Sequence, residues 1–93
     1  PEMEVRQVSL PIEQLLLSPN PTADRVRITY VLENPDGYTL TATDMLGRVL
    51  FSAPASANHD FIDVDLRTWA KGIYNINLSN GQGHRLNQKL IRE

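Results

Sequence analysis

Val26-Arg27-Ile28-Thr29-Tyr30-Val31-Leu32 decides the fold of this chain, because an apolar residue recurs at every second position. Val26, Ile28, Tyr30 and Leu32 share one face of an extended strand; Arg27 and Thr29 share the other with Val31. A helix would scatter the same residues around its circumference. Asn34-Pro35-Asp36-Gly37 follows, Pro presetting φ and Gly taking the left-handed position of a turn. Alternation resumes in Tyr38-Thr39-Leu40-Thr41-Ala42-Thr43, a threonine-rich pattern expected of a strand with one wet face.

The same rhythm extends in both directions. Asp44-Met45-Leu46-Gly47-Arg48 reads as a short hairpin connection with Gly47 at positive φ, leading into a strand from Val49 to Ala53. Pro54 to Asn58 is small and polar, a loop by composition. From Phe61 to Leu66, the residues Ile62, Val64 and Leu66 oppose Phe61, Asp63 and Asp65. After Gly72, residues Tyr74, Ile76 and Leu78 point inward, with Asn75 and Asn77 outward. Asn80-Gly81-Gln82-Gly83 is a turn, and a last strand runs from Arg85 to Arg92 with Leu86 and Leu90 on one face. Such spacing predicts an all-β, immunoglobulin-like antiparallel β-sandwich of about seven short strands.

Upstream, Met3 to Val8 reads as an edge strand, and Ile12 to Leu16 as a helical turn or an approach strand. The favoured reading is a strand followed by a bend at Pro11. Residues 1–16 are thus expected to be an N-terminal strand and linker segment, and residues 17–93 the sandwich.

Composition narrows the function. Ninety-three residues make one domain, and 41% hydrophobic with 22% charged residues fits an ordinary globular protein. A net charge of −2 with dispersed Lys and Arg argues against nucleic acid, which calls for a basic patch or stripe. Without cysteine there are no disulfides and no thiolate metal sites. Leu15-Leu16-Leu17 is the longest apolar run, far short of the roughly 20 residues that span a bilayer. Pro1, Glu2 and Glu4 stand where a signal peptide would carry basic residues, so the chain reads as a piece of a longer precursor.

Chemistry-bearing residues are sparse. His59 and His84 with Asp60 match no zinc-ligand spacing, and read as solvated loop histidines. Asp60, Asp63 and Asp65 have no Gly among them to form a calcium loop, and Asp63 and Asp65 alternate along a strand as a hydrated face does. No Gly-x-Ser-x-Gly element is present, and a domain of this size offers little room for a deep catalytic cleft. The expectation is a non-enzyme without cofactor or metal. Asn77-Leu78-Ser79 fits the N-glycosylation pattern but falls in or at the end of a strand, so it carries no weight. Trp69 is expected to plug one end of the sandwich, an exposed anchor for a partner being the alternative.

Three stretches, in order, resemble the type IX secretion system C-terminal sorting domain (type A, Por secretion system family) of Bacteroidetes-type bacteria. Leu17-Ser18-Pro19-Asn20-Pro21-Thr22 running into the strand at Val26 is similar to that family's opening Pro-Asn-Pro motif. Thr43 to Leu50, with Asp44, Gly47 and Arg48, is similar to its central hairpin. Gly72-Ile73-Tyr74, followed by the ending Lys89-Leu90-Ile91-Arg92-Glu93, is similar to its closing signature. The order and placement of the three make the combination specific.

The resemblance implies a secretion signal that directs a cargo protein across the outer membrane and is usually cleaved at the cell surface. It implies that Gly72, Ile73, Tyr74 and Lys89 to Glu93 carry recognition, with Pro19, Asn20, Pro21, Asp44, Gly47 and Arg48 as structural motif residues. Implied partners are the type IX translocon, outer-membrane shuttle proteins and a sortase-like peptidase. The implied location is the periplasm in transit, then the outer-membrane surface or the extracellular space. The residues themselves leave room for β-augmentation at the last strand edge, including a dimer through strand edges. Two rival functions are a retained envelope module docking on a receptor or sensor protein, and a small carbohydrate-binding domain.

Overall fold

The computed structural model describes residues 13–93. Seven strands follow one another: β1 (Gln14–Ser18), β2 (Arg25–Val31), β3 (Thr39–Thr43), β4 (Val49–Pro54), β5 (His59–Asp65), β6 (Gly72–Ser79) and β7 (Arg85–Arg92). One sheet has the order β1-β2-β5 and the other β4-β3-β6-β7, every pair antiparallel. The connections after β2, β4 and β5 cross between the sheets, giving the Greek-key wiring of an immunoglobulin-like sandwich.

The inner faces are those that the alternation specifies. Val26, Ile28, Tyr30 and Leu32 from the first sheet meet Tyr38, Leu40, Ala42, Tyr74, Ile76, Leu78 and Leu90 from the second. Each large aliphatic side chain buried this way stabilises the fold by roughly 1.5–3 kcal/mol over leaving it in water. A one-residue slip of any strand would turn its apolar set to solvent, so the register is strongly specified.

Two segments depart from simple alternation. Gln14–Ser18 is a strand rather than a helical turn, and it begins ahead of residue 17. Its three leucines divide by face, Leu15 buried in the core and Leu16 exposed. In β4, Ala42 faces Phe51 while Thr43 faces Val49, leaving Leu50 as the extra residue of a β-bulge. The expected strand at Met3 to Val8 and the bend at Pro11 lie outside the described residues.

Register also fixes which connections share an end. Ser18 pairs with Arg27, Arg25 with Asp65, Thr43 with Val49 and Gly72 with Arg92. A parallel bridge from Thr22 to Arg92 joins the two sheets there. One end therefore gathers the β1–β2 connection, the β3–β4 hairpin, the β5–β6 crossover and the close of β7.

Candidate functional site

That end is held by a clamp that spans the chain. The Asn20 side chain donates from Nδ2 to the Lys89 carbonyl at 2.8 Å and accepts from the Ile91 N–H at 3.0 Å. Its amide thus does what a neighbouring strand would do for β7. Thr22 continues the pairing with its backbone: its N–H reaches the Ile91 carbonyl at 2.9 Å, and the Glu93 N–H reaches the Thr22 carbonyl at 2.8 Å. Thr22 is buried, and its hydroxyl donates to the Arg25 carbonyl. The peptide bonds before Pro19 and Pro21 are both cis. The outward backbone groups at the close of β7 are consequently occupied, which corrects the picture of an open Lys89–Glu93 edge.

Arg92 ties the same segment to the other sheet. Its side chain turns inward, and Nε donates to the Leu66 carbonyl at 3.1 Å. Leu66 is fully buried, and its own N–H reaches the Asp24 carbonyl at 2.8 Å. Trp69 N–H also donates to the Leu66 carbonyl, closing the turn that starts the crossover.

The crossover ends at Gly72, whose φ of 152° is a conformation that L side chains rarely adopt. Two residues on, the Tyr74 ring is buried and its hydroxyl donates to the Ala70 carbonyl. This is the arrangement of a tyrosine corner, in which a Tyr early in a strand bonds backbone a few residues upstream. Trp69 packs partly buried against Tyr74, with ring centroids 5.0 Å apart and a tilted geometry. It sits against the core, as a plug does.

The β3–β4 hairpin is organised by Asp44. Oδ1 accepts from the Leu46 N–H at 2.9 Å and the Arg48 N–H at 3.0 Å, and Oδ2 accepts from the Arg48 guanidinium at 2.6 Å. Burial pushes its carboxyl up, but the N–H donors of Arg48 and Leu46 together with the guanidinium outweigh that and hold it below the usual range. Gly47, at φ 85°, donates its N–H to the Asp44 carbonyl and lets the chain turn tightly enough for Asp44 and Arg48 to pair.

Between this hairpin and the crossover lies an open recess of about 600 Å³. Met45, Leu46, Leu50, Trp69 and Ile73 supply apolar walls, with Arg48 and Lys71 among the polar ones. The bulge brings Leu50 to this wall. Without the extra residue, the pairing of β4 with β3 would continue unshifted past Phe51.

The resembling motifs are thus brought to one end, in distinct roles. Tyr74 and Leu90 face the core, and Leu90 is fully buried. Ile73, Lys89, Ile91 and Glu93 face outward, and Arg92 is half-buried. Pro19 and Pro21 flank the Asn20 clamp, and Asp44, Gly47 and Arg48 shape the hairpin. Sequence reasoning set Leu66 on one strand face with Ile62 and Val64 and placed Thr22 and Leu50 within the motif stretches, but gave these three, and Ala70 beside Trp69, no role at this end. A Thr after Pro-Asn-Pro is a local turn signal at most, with nothing to indicate a partner 70 positions away.

The acidic stretch is a paired outer face. Arg27 holds Asp63 through two hydrogen bonds at 2.8 and 3.1 Å while lying over the Phe61 ring at 3.9 Å. Arg67 chelates Asp65, and this side-chain and backbone bonding pulls the Asp65 carboxyl down to about 2. His59 lies in β5 and His84 in the β6–β7 turn, both exposed. Among the described residues, no three metal-ligating side chains converge. Asn77 lies within central strand β6, between Thr41 and Asn87.

No helix among the described residues is long and apolar enough to cross a membrane. No curated protein matches the chain. A family model described as "Secretion system C-terminal sorting domain" matches residues 17–93, nearly all of the sandwich. The chain therefore belongs to the C-terminal sorting domains of type IX secretion, a family of export signals rather than of enzymes.

Proposed function

We propose that this sandwich is a folded address, read at the end where its motifs converge, and that it carries an attached cargo through the type IX translocon across the outer membrane. The observation that supports this is the convergence itself. Asn20 meets Lys89 and Ile91 across 69 and 71 positions of sequence, leaving Ile73, Lys89 and Ile91 on an outward surface. A signal encoded in a flexible tail would have no use for such a clamp. Shuttle proteins of the outer membrane are the first readers in this scheme, and a sortase-like peptidase then removes the domain at the surface, cutting on its N-terminal side. The cargo ends at the outer-membrane surface or outside the cell.

Fusion of residues 1–93 to a reporter in cells with a type IX system tests this. The expected result is reporter at the surface or in the medium, shortened by the mass of the domain. Reporter that reaches the surface equally well without residues 1–93 would refute the signal role. Surface reporter that keeps the domain would refute removal alone and favour a retained envelope module.

A further inference from the structure

Apart from Leu16 and Phe61, every large apolar side chain exposed among the described residues lies at the motif end of the second sheet: Met45, Leu46, Val49, Leu50, Ile73 and Ile91. Ile73 and Ile91 are directly paired across β6 and β7, so their side chains stand side by side on the outer face. The rest of that face is polar, with Thr41, Thr43, Asn75, Asn77 and Asn87 between the strands' ends. A concentrated apolar patch on an otherwise polar sheet marks an interaction site rather than ordinary surface variation.

Charge around the patch is one-sided. Lys71 lines the recess, and Lys89 stands on the outer face beside Ile91. Among the described residues, neither forms an ion pair. Arg48 is engaged by Asp44, so the one carboxylate lining the recess is already neutralised. Glu93, past the close of β7, and Asp24 and Asp65 on the side of the first sheet are the other acidic groups at this end, and none of the three lines the recess. A partner that lies on the patch therefore meets two uncommitted cations.

Strand edges offer less. The close of β7 is taken by Asn20 and Thr22. On β4, Pro54 lacks an N–H and Leu50 is bulged, two features that blunt an edge. β5 is flanked by the charged side chains of Asp63 and Asp65. The face is the larger opening. It is also concave, because the recess sits between the hairpin and the crossover, and a bilayer has no projecting side chain to fill it.

Resting on the sorting reading above, we infer that this patch docks a protein segment of the export machinery that combines apolar side chains with carboxylates. The apolar residues enter the recess between Leu46, Leu50 and Ile73, and the carboxylates meet Lys71 and Lys89. Acidic groups on the partner steer the encounter, and the apolar fill slows its dissociation.

The test uses a reporter fused to the complete 93-residue chain in type IX-competent cells. The double change Lys71→Glu with Lys89→Glu should lower surface delivery at least ~10-fold, since like charges across an interface are strongly repelled. Lys71→Arg with Lys89→Arg should retain delivery within ~2-fold, and both variants should melt with the parent because the two lysines are exposed. A benzophenone amino acid at Leu46, with Gln82 at the far end as control, should crosslink to a partner segment that contains Asp or Glu among apolar residues. Normal delivery of the charge-reversed chain overturns the inference. So does a crosslink from Leu46 to lipid, to a second copy of this chain, or to a segment without acidic residues. Delivery that survives removal of the whole chain overturns the sorting reading instead, and this inference with it.

Discussion

Replacing Asn20 with Ala removes one donor and one acceptor from the close of β7. The two bonds lost, at 2.8 and 3.0 Å, join backbone groups of Lys89 and Ile91 to a side chain near the start of the domain. Each net hydrogen bond contributes about 0.5–1.5 kcal/mol, and the exposed position places these in the lower half of that range. A loss of about 1–2 kcal/mol follows, which for a domain of this size lowers the melting temperature by roughly 4–15 °C.

The local signature of that change is sharper than the global one. Ile91 directs its N–H to Asn20, whereas adjacent Leu90 directs its own toward β6. In Asn20→Ala, amide exchange at Ile91 should accelerate roughly 5–30-fold relative to Leu90, the ratio that corresponds to about 1–2 kcal/mol. Asn20→Asp keeps an acceptor for Ile91 but loses the donor to Lys89 and sets a charge against that carbonyl. It should lose as much stability as Asn20→Ala while leaving Ile91 better protected. If the Ile91-to-Leu90 exchange ratio is unchanged in Asn20→Ala, the clamp does not hold the strand and the reasoning fails.

Gly72→Ala places a Cβ in open space, so its cost is conformational alone, about 1–3 kcal/mol for a side chain forced into this φ. A denaturation midpoint equal to the parent's would show that the crossover does not require the glycine. The carboxyls of Asp44, Asp63 and Asp65 are all depressed in the fold, so their contribution is complete above the ordinary 3.8 and is lost as pH falls below it, for Asp65 through about 2. The denaturation midpoint should thus stay level from neutral pH to about 5 as far as these groups decide it, then fall. In Arg67→Gln, the Asp65 titration followed by NMR should move up toward 3.8; a value still near 2 would refute Arg67 as its cause. Leu90→Ala empties a fully buried position and should cost about 2–5 kcal/mol, whereas Ile91→Ser leaves both backbone bonds of residue 91 in place and should cost well under half as much. Equal losses in denaturant would contradict the inward and outward assignment of the two.

Most of the sandwich was legible because strand burial is a local, period-two property. Val26 to Leu32, Tyr38 to Thr43 and Gly72 to Leu78 each announce an inner face without reference to any other segment. Legibility failed where that condition failed. Leu15-Leu16-Leu17 has no polar residue to mark its outer side, so strand and helical turn read alike until the partner β2 is seen. The bulge at Leu50 depends on how Phe51 and Val49 meet β3, and nothing in Val49-Leu50-Phe51 itself signals it.

The candidate site was legible as a set of short motifs and illegible as a place. Pro19-Asn20-Pro21 and Lys89 to Glu93 stand at opposite ends of the sandwich sequence, and no periodicity relates them. Only the chain path makes Asn20 a neighbour of Ile91. That contact changes what the tail's residues mean. As a free strand, Lys89 to Glu93 would offer its backbone to a receptor. Clamped by Asn20 and Thr22, and stitched to Leu66 by Arg92, it has side chains left to offer. Leu90 and Arg92 are spent on the fold, which leaves Lys89 and Ile91 facing out beside Ile73. Deleting the tail would therefore open the clamp, empty the Leu90 site and cut the link between the sheets all at once. An export defect after such a deletion would follow equally from a lost address and from a lost fold, and the two outward side chains are the positions at which the causes separate.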